Sequence, residues 1–97
     1  MKIEILYFDG CPNHAPTVER AREVIRELGL DTVLHEVAIH DQSDAERLRF
    51  IGSPSVRVDG ADIEPSADGH GQFGVGCRMY GSSGVPPREL MLDAFRQ

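Results

Sequence analysis

Cys11 lies in the segment 6–14, LYFDGCPNH, where an apolar stretch passes through Gly10 into what the pattern predicts to be the first turn of a helix. Free N–H groups and the positive end of the helix dipole favour a thiolate there, and they lower a thiol pKa from about 8.5 to roughly 3.5–7.5. A thiolate attacks disulfides and binds soft metal ions. The sequence therefore predicts that Cys11 is a nucleophile.

The neighbours of Cys11 favour and oppose this chemistry. If Pro12 takes the first helical position, the amides of Asn13 and His14 can point at the sulfur. His14 can form an ion pair with a thiolate when protonated, or act as a base when neutral. Asp9 and the net negative charge oppose the thiolate. The alternative is that Cys11 is a small buried residue at a strand end and His14 a solvent-facing one.

Alternating apolar and helical spacings predict the elements that hold this segment. The run 2–8 is apolar on both parities, as in a central strand covered on both faces. Residues 15–28 have helical spacing and end at Gly29. Thr32–Ile39 alternates, with Val33 directed inward, and this pattern predicts an edge strand with one solvated face.

The second half of the chain is predicted from capping and turn residues. Ser43 and Glu46 form a capping box that predicts a helix through about residue 50. A strand is predicted at Ser55–Val58, followed after a turn by a long mobile insertion at 60–74. A return strand is predicted at 75–80, and the two prolines 86 and 87 suit the start of a last helix.

Cys77, the second cysteine, belongs to that predicted return strand. It shares the parity of Val75 and Met79, opposite Arg78 and Tyr80. Side chains of one parity face the same side of a sheet, and free cysteine is often buried. A core-facing thiol is therefore one expectation for Cys77.

Composition limits the classes of function. Residues 1–97 are enough for one domain with one core. Ten basic and sixteen acidic residues give a net charge of −6 with no basic run, so nucleic acid and membrane are not expected partners. The apolar run at the N-terminus is too short for a signal peptide or a membrane span, and we expect a cytoplasmic protein. The oligomeric state is left open.

The predicted order of elements, β-α-β-α-β-β-α, together with two motifs, resembles the thioredoxin and glutaredoxin superfamily. Residues 10–14 look like a Cys-Pro-x-Cys site whose second cysteine is His14, and Ser53-Pro54 matches the cis-proline loop of the family. The resemblance implies an α/β fold with a mixed four-stranded sheet flanked by helices. It also implies that Cys11 and His14 are the catalytic residues.

The same resemblance implies a substrate-binding surface. Pro12 and Asn13 would lie beside the nucleophile. The cis bond before Pro54 would turn the Ser53 backbone toward Cys11, where its amide and carbonyl can pair with an extended peptide or a thiol cofactor.

The segments 7–12, 52–54 and 76–80 together resemble small bacterial thioredoxin-like proteins, some of which are labelled alkylmercury lyase. This resemblance suggests two soft sulfur ligands. The family sheet order would place Cys77 roughly 10 Å from Cys11, too far for a direct disulfide without movement. A soft metal ion between Cys11 and Cys77 would relax that limit, with His14 or His70 as further ligands.

Three functions stay open at this point. The first is thiol–disulfide exchange through a mixed disulfide on Cys11, released by an external thiol such as glutathione. Its substrate would be a thiol or disulfide, either a protein or a small molecule, with no bound cofactor. The second is soft-metal or organomercurial binding by both cysteines, and the third is a non-catalytic binding module on the same fold.

Overall fold

The protein is described here from a computed structural model, which covers residues 1–64, 73–81 and 83–96. These residues form four strands, namely β1 (Ile3–Phe8), β2 (Leu34–Ile39), β3 (Ser55–Val58) and β4 (Ala61–Asp62). They also form three helices, namely α1 (His14–Leu28), α2 (Gln42–Arg47) and α3 (Arg88–Phe95). No helix within these ranges is long and apolar enough to cross a membrane.

The four strands form one mixed sheet in the order β2-β1-β3-β4. β1 pairs in parallel with β2 and antiparallel with β3, and β4 pairs antiparallel with β3. The predicted α/β class and mixed four-stranded sheet are therefore confirmed. The central place of β1 and the edge place of β2 are confirmed as well.

Both faces of β1 are covered, as its apolar run predicts. Ile3 and Ile5 lie in a core cluster with side chains from α1 and α3, whereas Leu6, of opposite parity, lies in a second cluster that includes Ala45 of α2. The buried members of the first cluster are Ile3, Ile5, Ala21, Val24, Val56, Ile63, Met91 and Phe95. Those of the second are Leu6, Ile39, Ala45 and Phe50. The sheet is thus held between two layers.

α2 begins differently from the prediction. Its N-cap is Asp41, whose carboxylate accepts a hydrogen bond from the amide of Asp44 at 2.9 Å, and the helix ends at Arg47. Ser43 is instead inside the first turn. Aspartate caps as well as serine does, and its charge also suits the helix dipole, so the predicted capping box at Ser43 is wrong.

The predicted turn after β3 is present, but the chain that follows it departs from the prediction. Asp59 and Gly60 both have positive φ, at 50° and 87°, and β4 starts at the next residue. Two consecutive residues with positive φ form the tight turn whose twist matches a hairpin, so the return strand comes at once. Residues 65–72 of the predicted insertion lie outside the described residues.

Two further predictions about strands are wrong. Residues 75–80 do not form a strand of the sheet, although Cys77 makes an isolated bridge with Ser53 and Tyr80 makes one with Ser83. Val33, predicted to face inward, precedes β2 and is 69% exposed. Gly29, in contrast, ends α1 as predicted, with φ of 65°.

Candidate functional site

Cys11 lies in the connection between β1 and α1, close to the C-terminal end of the central strand. Its amide donates to the carbonyl of Phe8 at 3.2 Å, and Gly10 supplies the turn with φ of 87°. Gly10 and Pro12 are exposed, but Cys11 itself keeps only 8% of its accessible surface. Cys11 is therefore a buried residue between two exposed neighbours, and its burial agrees with the alternative of a small buried residue at a strand end.

α1 begins within one residue of the predicted range 15–28, but Pro12 does not take its first position. Its first residue is His14 and its N-cap is Asn13, so Pro12 lies before the helix rather than at its first position. The amide of His14 donates to the carbonyl of Cys11 at 3.2 Å. The prediction that this amide points at the sulfur is wrong, because residues 11–14 form a separate turn that uses it.

His14 packs toward the sheet edge. Its Nε2 lies 2.8 Å from Oε1 of Glu36 on β2, and its ring stacks on Tyr7 with centroids 3.6 Å apart. Arg22 lies 3.7 Å from the other oxygen of Glu36. Within the described part of the chain, no hydrogen bond or ion pair joins the side chain of His14 to that of Cys11. The side chain is held in place by Glu36 and Tyr7.

Ser53 and the cis Ser53-Pro54 bond lie directly beside the Cys11 turn. The Oγ of Ser53 accepts from the amide of Phe8 at 3.4 Å, and the carbonyl of Phe8 in turn accepts from Cys11. Ser53 is fully buried. The structure thus brings Cys11, Ser53 and Pro54 into one region, while His14 bonds away from it.

The backbone of Ser53 is already paired within the chain. Its amide donates to the carbonyl of Gly76 at 2.8 Å, and its carbonyl accepts from the amide of Arg78 at 3.0 Å. The same two groups were predicted to receive an extended peptide or a thiol cofactor. In this conformation residues 76–78 occupy that position.

Arg78 is a buried residue of this region that the sequence analysis missed. Its guanidinium makes a bidentate ion pair with Asp62, at 2.7 and 2.8 Å, and bonds to Glu64 at 3.1 Å and to Oγ of Ser55 at 3.0 Å. Burial alone would lower the pKa of Arg78, but the hydrogen bonds that its guanidinium donates to Asp62 and Glu64 outweigh burial and raise this pKa above its usual range. Arg78 is therefore a buried positive charge that is held by carboxylates beside the start of β3.

Tyr80 completes the attachment of this segment. Its hydroxyl donates to the carbonyl of Pro54 at 2.6 Å, and the guanidinium of Arg78 lies 4.4 Å from the centre of its ring. Burial is the main cause that raises the pKa of Tyr80 above its usual range. Three consecutive residues, 53–55, are thus bonded to the segment 76–80.

Cys77 faces solvent, contrary to the expectation of a core-facing thiol. Val75, Cys77 and Met79 are all exposed, whereas Arg78 and Tyr80 are buried. The predicted alternation is correct, but the buried side is the one that carries Arg78 and Tyr80. The signal that could have identified the buried side is the acidic pair Asp62 and Glu64. These two residues are two positions apart, as Arg78 and Tyr80 are.

Asn13 contacts the loop that precedes α3. Gly84 lies so close to the Asn13 side chain that a Cβ at residue 84 would overlap with its amide group. The end of that amide is flexible, but the approach shows that Asn13 is covered on this side. Asn13 is half-buried, and Pro12 remains exposed.

Potential metal ligands are sparse. No group of three or more histidine, cysteine, aspartate or glutamate side chains in residues 1–64, 73–81 and 83–96 could hold a metal ion. Cys11 and Cys77 are both unpaired thiols. The predicted site with these two sulfurs needs only two ligands and stays a prediction, and His70 lies outside the described residues.

A separate cleft of about 660 Å³ opens between the β3–β4 hairpin and α3. Its lining combines apolar residues with three aspartates and consists of Val58, Asp59, Ala61, Asp62, Ile63, Leu90, Asp93 and Ala94. It contains none of the site residues predicted from the sequence. Asp62 faces Arg78, Asp59 accepts from the amide of Lys2, and Asp93 lies 3.8 Å from Arg96, so the carboxylates already have partners.

Comparison with known proteins found no matching family model, no matching curated protein and no matching solved structure. The interpretation of the site therefore depends on the residues of this chain.

Proposed function

We propose that this chain is a thioredoxin-like thiol protein in which Cys11 exchanges with disulfides through a mixed disulfide. One observation carries the proposal: an unpaired cysteine follows the central strand and lies beside a buried serine and a cis-proline, to which it is linked through Phe8. Strand order and the position of this turn after β1 support the thioredoxin-like topology.

The proposed reaction needs no cofactor. Cys11 loses its proton to solvent, and its thiolate attacks one sulfur of the substrate disulfide. A bond forms between the Cys11 sulfur and that sulfur, the substrate S–S bond breaks, and the other half leaves as a thiolate that takes up a proton. A second thiol then attacks the mixed disulfide, forms a new disulfide with the bound half and returns Cys11 to the thiol form.

The second thiol comes from outside the Cys11 turn, because residue 14 is a histidine that bonds to Glu36. A low-molecular-weight thiol such as glutathione satisfies this requirement. The ring of His14 then serves the fold by anchoring the start of α1 to β1 and β2 through Tyr7 and Glu36, and it takes no direct part in the exchange.

The test measures mixed-disulfide formation with bis(2-hydroxyethyl) disulfide by intact mass at pH 7. The Cys77→Ser variant removes the exposed thiol, and it should take up one adduct per chain. It should react faster when folded than when unfolded in urea. The matched control, Cys11→Ser with Cys77→Ser, should take up none. A folded chain whose Cys11 reacts no faster than the unfolded chain contradicts the proposal.

Soft-metal binding by Cys11 and Cys77 is the second candidate. The observation that favours it is the pairing of residues 76–78 with Ser53, which brings the backbone of Cys77 beside the residue that contacts the Cys11 turn. Both cysteines are unpaired. If neither thiol exchange nor metal uptake is measured, a non-catalytic binding module is the function that remains.

A further inference from the structure

The segment 76–80, called the strap below, pairs with the backbone of Ser53, which precedes β3 and lies beside the Cys11 turn. An open edge of a sheet presents unpaired N–H and C=O groups that accept an extended peptide. At Ser53 both of these groups are bonded to the strap, at 2.8 and 3.0 Å. The amide of Ser53 has no second hydrogen to donate and its carbonyl already has a partner, so an incoming strand cannot make the usual pair of main-chain bonds to Ser53 while the strap is in place.

Side chains fix the strap as firmly as the backbone does. Arg78 is bonded to Asp62, Glu64 and Ser55, and the hydroxyl of Tyr80 is bonded to the carbonyl of Pro54. Gly52 packs closely against Arg78, because a Cβ at residue 52 would lie 2.8 Å from the Cβ of Arg78. Backbone bonds, side-chain bonds and close packing therefore all attach the strap to residues 52–55.

We propose that the strap makes Cys11 selective for small disulfides and thiols over extended polypeptides. This inference rests on the proposed function. A peptide must displace the strap before its main chain can pair with Ser53, whereas a small disulfide needs only to reach the sulfur. Because each hydrogen bond of the strap that is lost shifts the open population by roughly fivefold, the intact strap is a large barrier to peptides.

The chemical step is the same for both classes of substrate. The Cys11 sulfur forms a bond to one sulfur of the disulfide, the original S–S bond breaks, and the departing thiolate takes a proton from solvent. Selectivity therefore arises in access to Cys11, and it should disappear when the chain unfolds.

The experiment compares two probes on the Cys77→Ser variant. The first is bis(2-hydroxyethyl) disulfide, and the second is a ten-residue extended peptide whose single cysteine carries the same mercaptoethanol group in disulfide linkage. The ratio of their rates is divided by the ratio for the chain in urea, which corrects for intrinsic reactivity. We expect the folded chain to disfavour the peptide by about tenfold or more.

Tyr80→Phe, added to that variant, tests the strap directly. It removes the bond to Pro54 and should raise the peptide rate by roughly fivefold, with the small-probe rate unchanged within about twofold. Met79→Ala is the matched control, since Met79 belongs to the strap but is 58% exposed, and it should change neither rate. Amide hydrogen exchange of Ser53 and Arg78 gives a readout independent of reactivity, and both amides should be protected.

Equal corrected rates for the two probes in the folded chain overturn the proposal, as do unprotected amides at Ser53 and Arg78. A Tyr80→Phe change that raises both rates alike overturns it too, because the strap would then be only a structural support. A folded chain that reacts with neither probe is a different result, which refutes the proposed function of Cys11 itself.

Discussion

Asp62→Asn should be among the most destabilising single changes of a polar side chain in this protein. The side chains of Arg78 and Asp62 are 6% and 8% exposed, and they share two bonds at 2.7 and 2.8 Å. Removing one partner of a buried ion pair costs about 3–5 kcal/mol, since the other charge stays buried. Glu64 still contacts Arg78 in the variant, so we expect the lower end, about 3 kcal/mol.

The free energy of unfolding measured in urea checks this value, and two carboxylate variants calibrate it. Glu64→Gln removes a single bond to Arg78 from a residue that is 32% exposed, and it should cost about 1 kcal/mol. Asp93→Asn alters an exposed pair with Arg96 and should stay within about 0.5 kcal/mol. If Asp62→Asn costs no more than Asp93→Asn, the buried ion pair does not hold the strap and the reasoning about its attachment fails.

Four other outcomes are expected. Exposure to mercuric ion should give one metal per chain by intact mass, lost in both Cys11→Ser and Cys77→Ser, and retention in Cys77→Ser rejects the paired-sulfur site. His14→Gln should leave the exchange rate of Cys11 within about twofold, because its ring bonds to Glu36, and a tenfold loss would assign it a direct role. Gly52→Ala should cost about 2 kcal/mol more than Gly10→Ala in urea, since both have positive φ but only residue 52 meets Arg78, and equal costs exclude that contact. Because folding raises the pKa of Tyr80, the protonated hydroxyl contributes its full stabilisation below about pH 10. This stabilisation is lost as the pH rises through the raised pKa, and Tyr80→Phe should remove this alkaline dependence of the urea midpoint.

The elements with strong local signals were predicted well. β3 has the bounds that the sequence predicts, and the covered faces of β1 follow from its apolar residues on both parities. Gly29 marks the end of α1 because a left-handed residue is needed there. In each case the residues that set the structure are neighbours in sequence.

The candidate site was predicted only in part, because several of its contacts are between distant residues. Ser53 and Cys11 were placed together from a resemblance, and the bond through Phe8 is consistent with that placement. The inward direction of Arg78 depends on Asp62, sixteen residues earlier, and no local pattern reveals that a charged residue is the buried one. The same holds for His14, whose partner Glu36 is on another strand.

The two layers on either side of the sheet differ in size, and this difference should govern how the protein opens. Among the residues that the structure describes, the cluster shared with α1 and α3 has eight buried members, whereas the cluster beneath the six-residue α2 has four. Regions with less buried apolar surface open at lower free energy. Amides of α2 should therefore exchange with deuterium through partial openings that leave α1 and α3 folded. Since the amide of Gly74 donates to the carbonyl of Phe50, such openings would also loosen the chain just before the strap.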